Sequence, residues 1–301
     1  MKTCKELHEI IKAFQFNEIN AHVHTHLCDG RPEMTVENIA GKAEETGLKL
    51  IILVPHFHKQ VSDETATLYA DSSEDMFLKL REEIDRYEAE GGTVKFLLSS
   101  EADILSVDGE ISLHPSPETE KAMDLVTPTI NYHPLLPLEF VSVTHLREVD
   151  QVHESGRFAK AAEAVGGVAN VIKTAFEAET NAIRRCPYPA MVGHFFAAYC
   201  ISTDTSSWFG ARIDDIPDMM RYSEELLSVC KKTDAMIDIT GMHLRNGRSV
   251  EEARVKNGYF YDFQSWFLSR CDAEGVIYCP GSDAHGLLLD GAGFYSEYFR
   301  R

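Results

Sequence analysis

Short apolar runs recur along the chain at Phe16–Ala21, Leu50–Val54, Val94–Ser99, Leu125–Ile130, Ala190–Gly193, Ala235–Ile239 and Val276–Cys279. Each is too short for a helix, and their spacing predicts seven buried strands. The segments between them follow a different period. Thr35–Thr46 stops at Gly47, and Ser72–Glu90 carries Phe77, Leu80, Ile84 and Tyr87 on one face ahead of Gly91 and Gly92, as a helix with a defined end does. Further helices are expected over Pro117–Met123, Arg157–Val165, Val168–Arg184, Pro217–Lys232 and Tyr261–Glu274. At the start, Thr3 and Glu6 have capping-box spacing, and Leu7, Ile10, Ile11 and Phe14 recur at helical intervals, which predicts an amphipathic helix over about 3–15. Strands alternating with helices indicate βα units and a parallel sheet, and seven is a barrel-like number. The proline-containing stretch Asn131–Gly156 reads as an elaborated loop, not a linker, so residues 1–301 are expected to form a single domain.

Charge narrows the partners. Forty-eight acidic against 29 basic residues leave −19 at neutral pH, which repels nucleic acid and anionic lipid. The longest apolar run, Leu50–Val54, is far below the roughly 20 residues of a membrane span. Nor does the N-terminus have the apolar core of a signal peptide. The seven cysteines are scattered, with no CxxC pair, which points to a reducing cytoplasm.

The chemistry sits at the strand ends. The first predicted strand leads into His22, His24, His26 and Asp29, the second into His56 and His58, and the third into Glu101 and Asp103. His133 follows the fourth, His194 the fifth, and Asp283 and His285 the seventh. In a parallel barrel the carboxyl ends of all strands meet at one mouth, so these residues become neighbours. Imidazoles and carboxylates gathered there suit first-row divalent ions, and the number of groups exceeds what one ion can use. Two or three ions are expected, of zinc, manganese or iron. Taken singly, any of these histidines fits an ordinary hydrogen-bonded role, and only the constellation carries the reading.

The opening HxHxxxxDG, the His after the second strand, the ExD after the third and the closing GSDAH together resemble the PHP (polymerase and histidinol phosphatase) family of metal-dependent phosphoesterases. That resemblance implies an α/β fold, a distorted, TIM-like (β/α)7 barrel with its metal site at the C-terminal mouth of the strands. It also implies a ligand set: His22, His24, Glu101 and Asp283 at one metal, Glu101 bridging to a second with His133 and His194, and Asp29, His56 and His285 at a third. The chain departs from many relatives in having Cys28 ahead of the Asp.

With such metals, a bridging hydroxide would attack phosphorus in line, and Asp283 would relay a proton or act as a ligand. Glu101 and Asp283 are therefore the expected catalytic residues. Arg245, after the sixth strand, is the expected phosphate contact, because a guanidinium fits two phosphate oxygens at once. His243 is a further candidate substrate contact, with Arg31 and Arg147 as alternates, and His26 and His58, beside ligand positions, fit either substrate contact or loop solvation. The negative charge and the lack of a basic track favour a small phosphate monoester over a nucleic acid, with histidinol phosphate the leading substrate. Open alternatives are a cyclic-phosphate or nucleotide phosphodiesterase or nuclease of the same family, an amidohydrolase-type hydrolase, and a non-catalytic metal-binding module.

Overall fold

A computed structural model describes residues 1–28, 30–57, 73–131, 157–198, 213–240, 249–256, 258–289 and 291–299. Within them the strands are short: β1 (Ile19–Val23), β2 (Leu50–Leu53), β3 (His56–Phe57), β4 (Lys95–Leu98), β5 (Glu101–Asp103), β6 (Thr127–Thr129), β7 (Met191–Val192), β8 (Met236–Asp238) and β9 (Tyr278–Cys279). Every ladder is parallel, and they form three sheets in the orders β1-β2-β4, β3-β5-β6 and β7-β8-β9. These ladders do not merge into one closed barrel sheet. Single parallel bridges link the sheets instead, Val126 to Ala190 and Val23 to Ala284. The interruptions have local causes. Pro55 has no N–H to continue the path from β2 into β3, and Ser99-Ser100 separates β4 from β5.

Helices alternate with these strands: α1 (Cys4–Lys12), α2 (Val36–Thr46), α3 (Glu74–Ala89), α4 (Pro117–Ala122), α5 (Arg157–Ala164), α6 (Val168–Arg185), α7 (Phe195–Ala198), α8 (Ile216–Thr233), α9 (Val250–Lys256), α10 (Gly258–Glu274) and α11 (Gly291–Phe299). The Thr3–Glu6 capping box starts α1 as its spacing predicts, with both reciprocal hydrogen bonds made. Thr35 caps α2, which ends where Gly47 turns left-handed at φ 77°, a conformation that costs glycine nothing. Among the described residues, no helix is long and apolar enough to cross a membrane.

Two apolar clusters result. The larger lies between strands and helices, and includes Phe77, Leu80 and Ile84 of α3. The smaller gathers Ile19 and Ala21 of β1, Leu50 and Ile52 of β2, Leu97 of β4, Met191 of β7, Met236 of β8 and Cys279 of β9, and it receives Leu7 and Ile11 from α1. The alternation along β2, with Leu50 and Ile52 in one cluster and Ile51 and Leu53 in the other, is the period of a strand buried on both faces. Burying Leu7 and Ile11 contributes about 1.5–3 kcal/mol each, so α1 is a structural plug on the strands.

Several expectations need correcting. The first strand begins at Ile19, because Phe16–Glu18 forms a 3-10 turn closed by the Gln15 N–H donating to Glu18 Oε2 (2.9 Å). The N-terminal helix stops at Lys12, short of residue 15. Glu101 does not trail a strand but opens β5, and α7, α9 and α11 lie outside the helices the sequence pattern predicts. Of the expected loop over 131–156, all but Asn131 lies outside the described residues.

Candidate metal centre

The site begins with an irregularity in β1. Asn20 pairs with Ile51 and Val23 with Leu53, so three steps on β1 match two on β2. Such a bulge re-aims the side chains beyond it. Ile19 and Ala21 enter the smaller apolar cluster, whereas His22 and His24 are gathered with the polar groups at the strand ends. His56 arrives on β3 and Glu101 on β5, directly paired in register. His194 follows β7 at φ 26° and Asp283 follows β9 at φ 52°, two non-glycine residues held in the sparsely populated positive-φ region. Two glycines allow the strands to close up around them. A Cβ at Gly193 would lie 2.0 Å from Thr129 Oγ1, and one at Gly281 would lie 2.0 Å from Thr240 Oγ1.

Glu101 is the hub. Its Oε1 accepts from Asn131 Nδ2 (2.8 Å) and from His194 Nε2 (3.1 Å). Its Oε2 lies 3.3 Å from His22 Nε2, 3.3 Å from His56 Nδ1 and 3.5 Å from His24 Nε2. His24 Nε2 in turn donates to Asp283 Oδ1 at 2.9 Å, and the His24 and His285 rings stack with centroids 3.9 Å apart. His22, His24, His56, His194 and Glu101 are buried, while the side chains of Asp283 and His285 are 24% and 32% exposed. Among the described residues the cluster therefore has a buried floor and is exposed at Asp283 and His285.

Electrostatics follow from this packing. Burial alone favours a neutral His22 ring, but hydrogen bonds to Asp238 and Glu101 outweigh it and raise its pKa to about 10. Burial would raise Glu101, yet His56, His194 and His22 hold it well below the usual carboxylate range. Asp283 is likewise held down, against its burial, by the hydrogen bond from His24 and by His22 and His285.

The structure brings together His22, His24, His56, Glu101, His194, Asp283 and His285. His26 does not join them: its Nδ1 donates to the Met34 carbonyl (3.2 Å), and its Nε2 lies 3.4 Å from Glu83 of α3. Asp29, His58, His133, His243 and Arg245 lie outside the described residues, as does Arg147. Arg31 is exposed, and its backbone N–H donates to the His285 carbonyl at 2.9 Å.

Two further residues, which no motif spacing marks, belong to the site. Asp238 of β8 is fully buried and accepts from His22 Nδ1 at 2.7 Å. Asn131 Nδ2 donates to both Glu101 and Asp103. The signal for Asp238 was present: a carboxylate inside an apolar strand is rarely buried without a partner.

The donor set fits divalent metal. His24, His56 and His285 each offer a ligand atom, and these atoms lie within 4.8 Å of one another; the same holds for His22, His24 and Asp283. Imidazoles mixed with carboxylates suit zinc, manganese or iron.

No protein-family model matches the chain, and no curated protein does. Among solved structures, the chain is similar to the histidinol phosphate phosphatase of Lactococcus lactis, complexed with zinc, L-histidinol and phosphate. They share 14% identity with a TM-score of 0.59, over 95% of this chain and 94% of that one. It is also similar to a Listeria monocytogenes protein assigned as a histidinol phosphatase, at 16% identity and a TM-score of 0.61, over 93% of this chain and 99% of that one. The likeness at these identities is one of fold, and it spans nearly the whole of each chain.

Proposed function

We propose that this chain, which has the fold of the PHP-type histidinol phosphatases, is a metal-dependent phosphoesterase acting on a small phosphate monoester. The observation that carries the reading is the convergence of four imidazoles on the single buried carboxylate of Glu101, beside the Asp283–His285 lip. The short strands around it are read as one distorted seven-stranded barrel within a single domain, β2–β3 and β4–β5 each counting as one interrupted strand.

His22, His24, His56, His194, His285, Glu101 and Asp283 would hold the metals, joined by Asp29 and His133, in a centre of two or three ions. Bound there, divalent metal supplies Lewis acidity toward a phosphoryl oxygen and lowers the pKa of water. The chain's own groups do the rest. Glu101, held ionised by its histidines, keeps a negative charge at the floor where cations gather. Asp283, at the open side, is placed either to ligate metal or to relay the proton of the water that attacks phosphorus on to the alcohol that leaves as the ester P–O bond breaks. Buried rings exclude bulk water from the floor, so the substrate enters past Asp283 and His285. Arg245, His243 and His58 are the proposed phosphate and leaving-group contacts, and His26, turned to Met34 and Glu83, holds its loop.

Histidinol phosphate is the proposed substrate, since the fold is shared with an enzyme whose structure holds L-histidinol and phosphate. The net charge of −19 supports a small ester over a nucleic acid. Among the described residues six cysteines are free thiols, which supports a reducing, cytoplasmic setting. The test is phosphate release by protein of counted metal content from histidinol phosphate, sugar phosphates, nucleoside monophosphates and cyclic nucleotides. Turnover of histidinol phosphate above the others is expected; release from none would reject the reading.

A further inference from the structure

Asp238 makes four hydrogen bonds, and they tie three strand ends together. Oδ2 accepts from His22 Nδ1 (2.7 Å) and from the backbone N–H of His194 (2.9 Å). Oδ1 accepts from the backbone N–H of Thr240 (2.8 Å) and from its hydroxyl. The residue is fully buried, and the space beside it exists only because position 281 is glycine: a Cβ there would lie 2.7 Å from Asp238 Oδ1 and 2.8 Å from His22 Cβ.

Backbone N–H groups already donate to both oxygens of Asp238, which as a carboxylate can only accept. His22 Nδ1 must therefore carry its proton toward Asp238, which leaves Nε2 as the ring nitrogen that faces Glu101 and Asp283, at 3.3 and 3.7 Å. The second bond on the same oxygen restrains the backbone of His194, whose φ of 26° an unrestrained histidine would leave. We infer that Asp238 is a positioning residue that fixes His22 as an Nε2 ligand and, through the same oxygen, holds His194 in place for metal. Partners of this kind orient a ligand ring, choose its tautomer and raise its basicity. The inference rests on the metal-dependent reading above, and it goes beyond that reading by assigning one residue control over two ligands from different strands.

The amide of Asp238→Asn presents an NH2 group to donors whichever way it turns, so it cannot satisfy both His22 and Thr240. Zinc affinity, measured by competition with a chromophoric chelator, is expected to fall about 10–100-fold, with activity returning as zinc is raised. Thr240→Val, which removes a single donor, should give a smaller loss. Independently of any variant, nitrogen NMR of zinc-loaded wild-type protein with labelled histidine should find His22, assigned by its loss in His22→Asn, protonated at Nδ1 and ligated through Nε2. Should Asp238→Asn fail to fold, the tautomer decides. Unchanged zinc affinity in a folded Asp238→Asn, or zinc on His22 Nδ1, would overturn the inference while leaving the phosphoesterase reading standing. A wild-type chain that takes up no zinc, manganese or iron would reject that reading itself.

Discussion

Substituting Gly281 by alanine tests the packing that holds the site together. The added methyl would stand 2.0 Å from Thr240 Oγ1, 2.7 Å from Asp238 Oδ1 and 2.8 Å from His22 Cβ, against a comfortable carbon contact of about 3.5–4.0 Å. The easiest relief rotates Thr240 and breaks its hydroxyl bond to Asp238. A hydrogen bond to a charged acceptor is worth about 1.5–3 kcal/mol. The overlap that remains, with Asp238 and His22, adds the cost of overpacking, about 1–3 kcal/mol. Gly281→Ala should therefore lose about 2.5–6 kcal/mol, read as a lower urea midpoint at unchanged slope in chelator-treated protein. Gly41→Ala is the matched control. Gly41 lies in α2 with nothing within 4 Å of an added Cβ, so alanine there should raise stability by about 0.5–1 kcal/mol. A Gly281→Ala midpoint equal to wild type would refute the close approach of β9 to β8 and β1 on which the Asp238 arrangement depends.

Other outcomes follow from the same geometry. Glu101→Gln replaces the carboxylate that four histidines share; metal content counted by elemental analysis should fall at two sites and activity should vanish, and full metal content would refute the bridging role. In chelator-treated protein, His22 titrates near 10 when folded against about 6.5 when unfolded. A raised folded pKa contributes stability that is complete below the unfolded value and is lost as pH rises through the folded one. The urea midpoint should therefore drop between pH 6.5 and 10, and a flat profile there would contradict the Asp238–His22–Glu101 contact. On the acid side, Glu101 and Asp283 are held low, so their contribution is present above the ordinary carboxylate range and is lost as pH falls. Arg245→Ala should mainly raise KM for phosphate esters with metals still bound, and loss of metal instead would remove Arg245 from substrate recognition.

Among the described residues each of the seven apolar runs overlaps a strand, because a strand buried on both faces is mostly apolar along its length. The runs did not reveal where the strand paths break. β3 and β5 follow Pro55 and Ser100, and their His56 and Glu101 read as residues beyond a strand because hydropathy registers a buried polar strand as a loop. The bulge in β1 was equally hidden, since it comes from pairing with β2 and not from composition. Among the site residues, those set at strand ends by motif spacing were legible, and those whose part depends on a contact across strands were not. Asp238 and Asn131 join the site through His22, His194 and Glu101, which are distant from them in sequence. His26 stands two residues from His24 yet belongs to the packing of α3, through Glu83.

On the proposed function, this histidine and carboxylate cluster holds the metal required for phosphate-ester hydrolysis. The most direct test strips the protein with chelator and titrates zinc or manganese back while phosphate release from histidinol phosphate is followed. Stripped protein should release none, and recovery should saturate at two or three equivalents. Release that survives chelation, or protein that binds metal fully and never releases phosphate, would contradict that function.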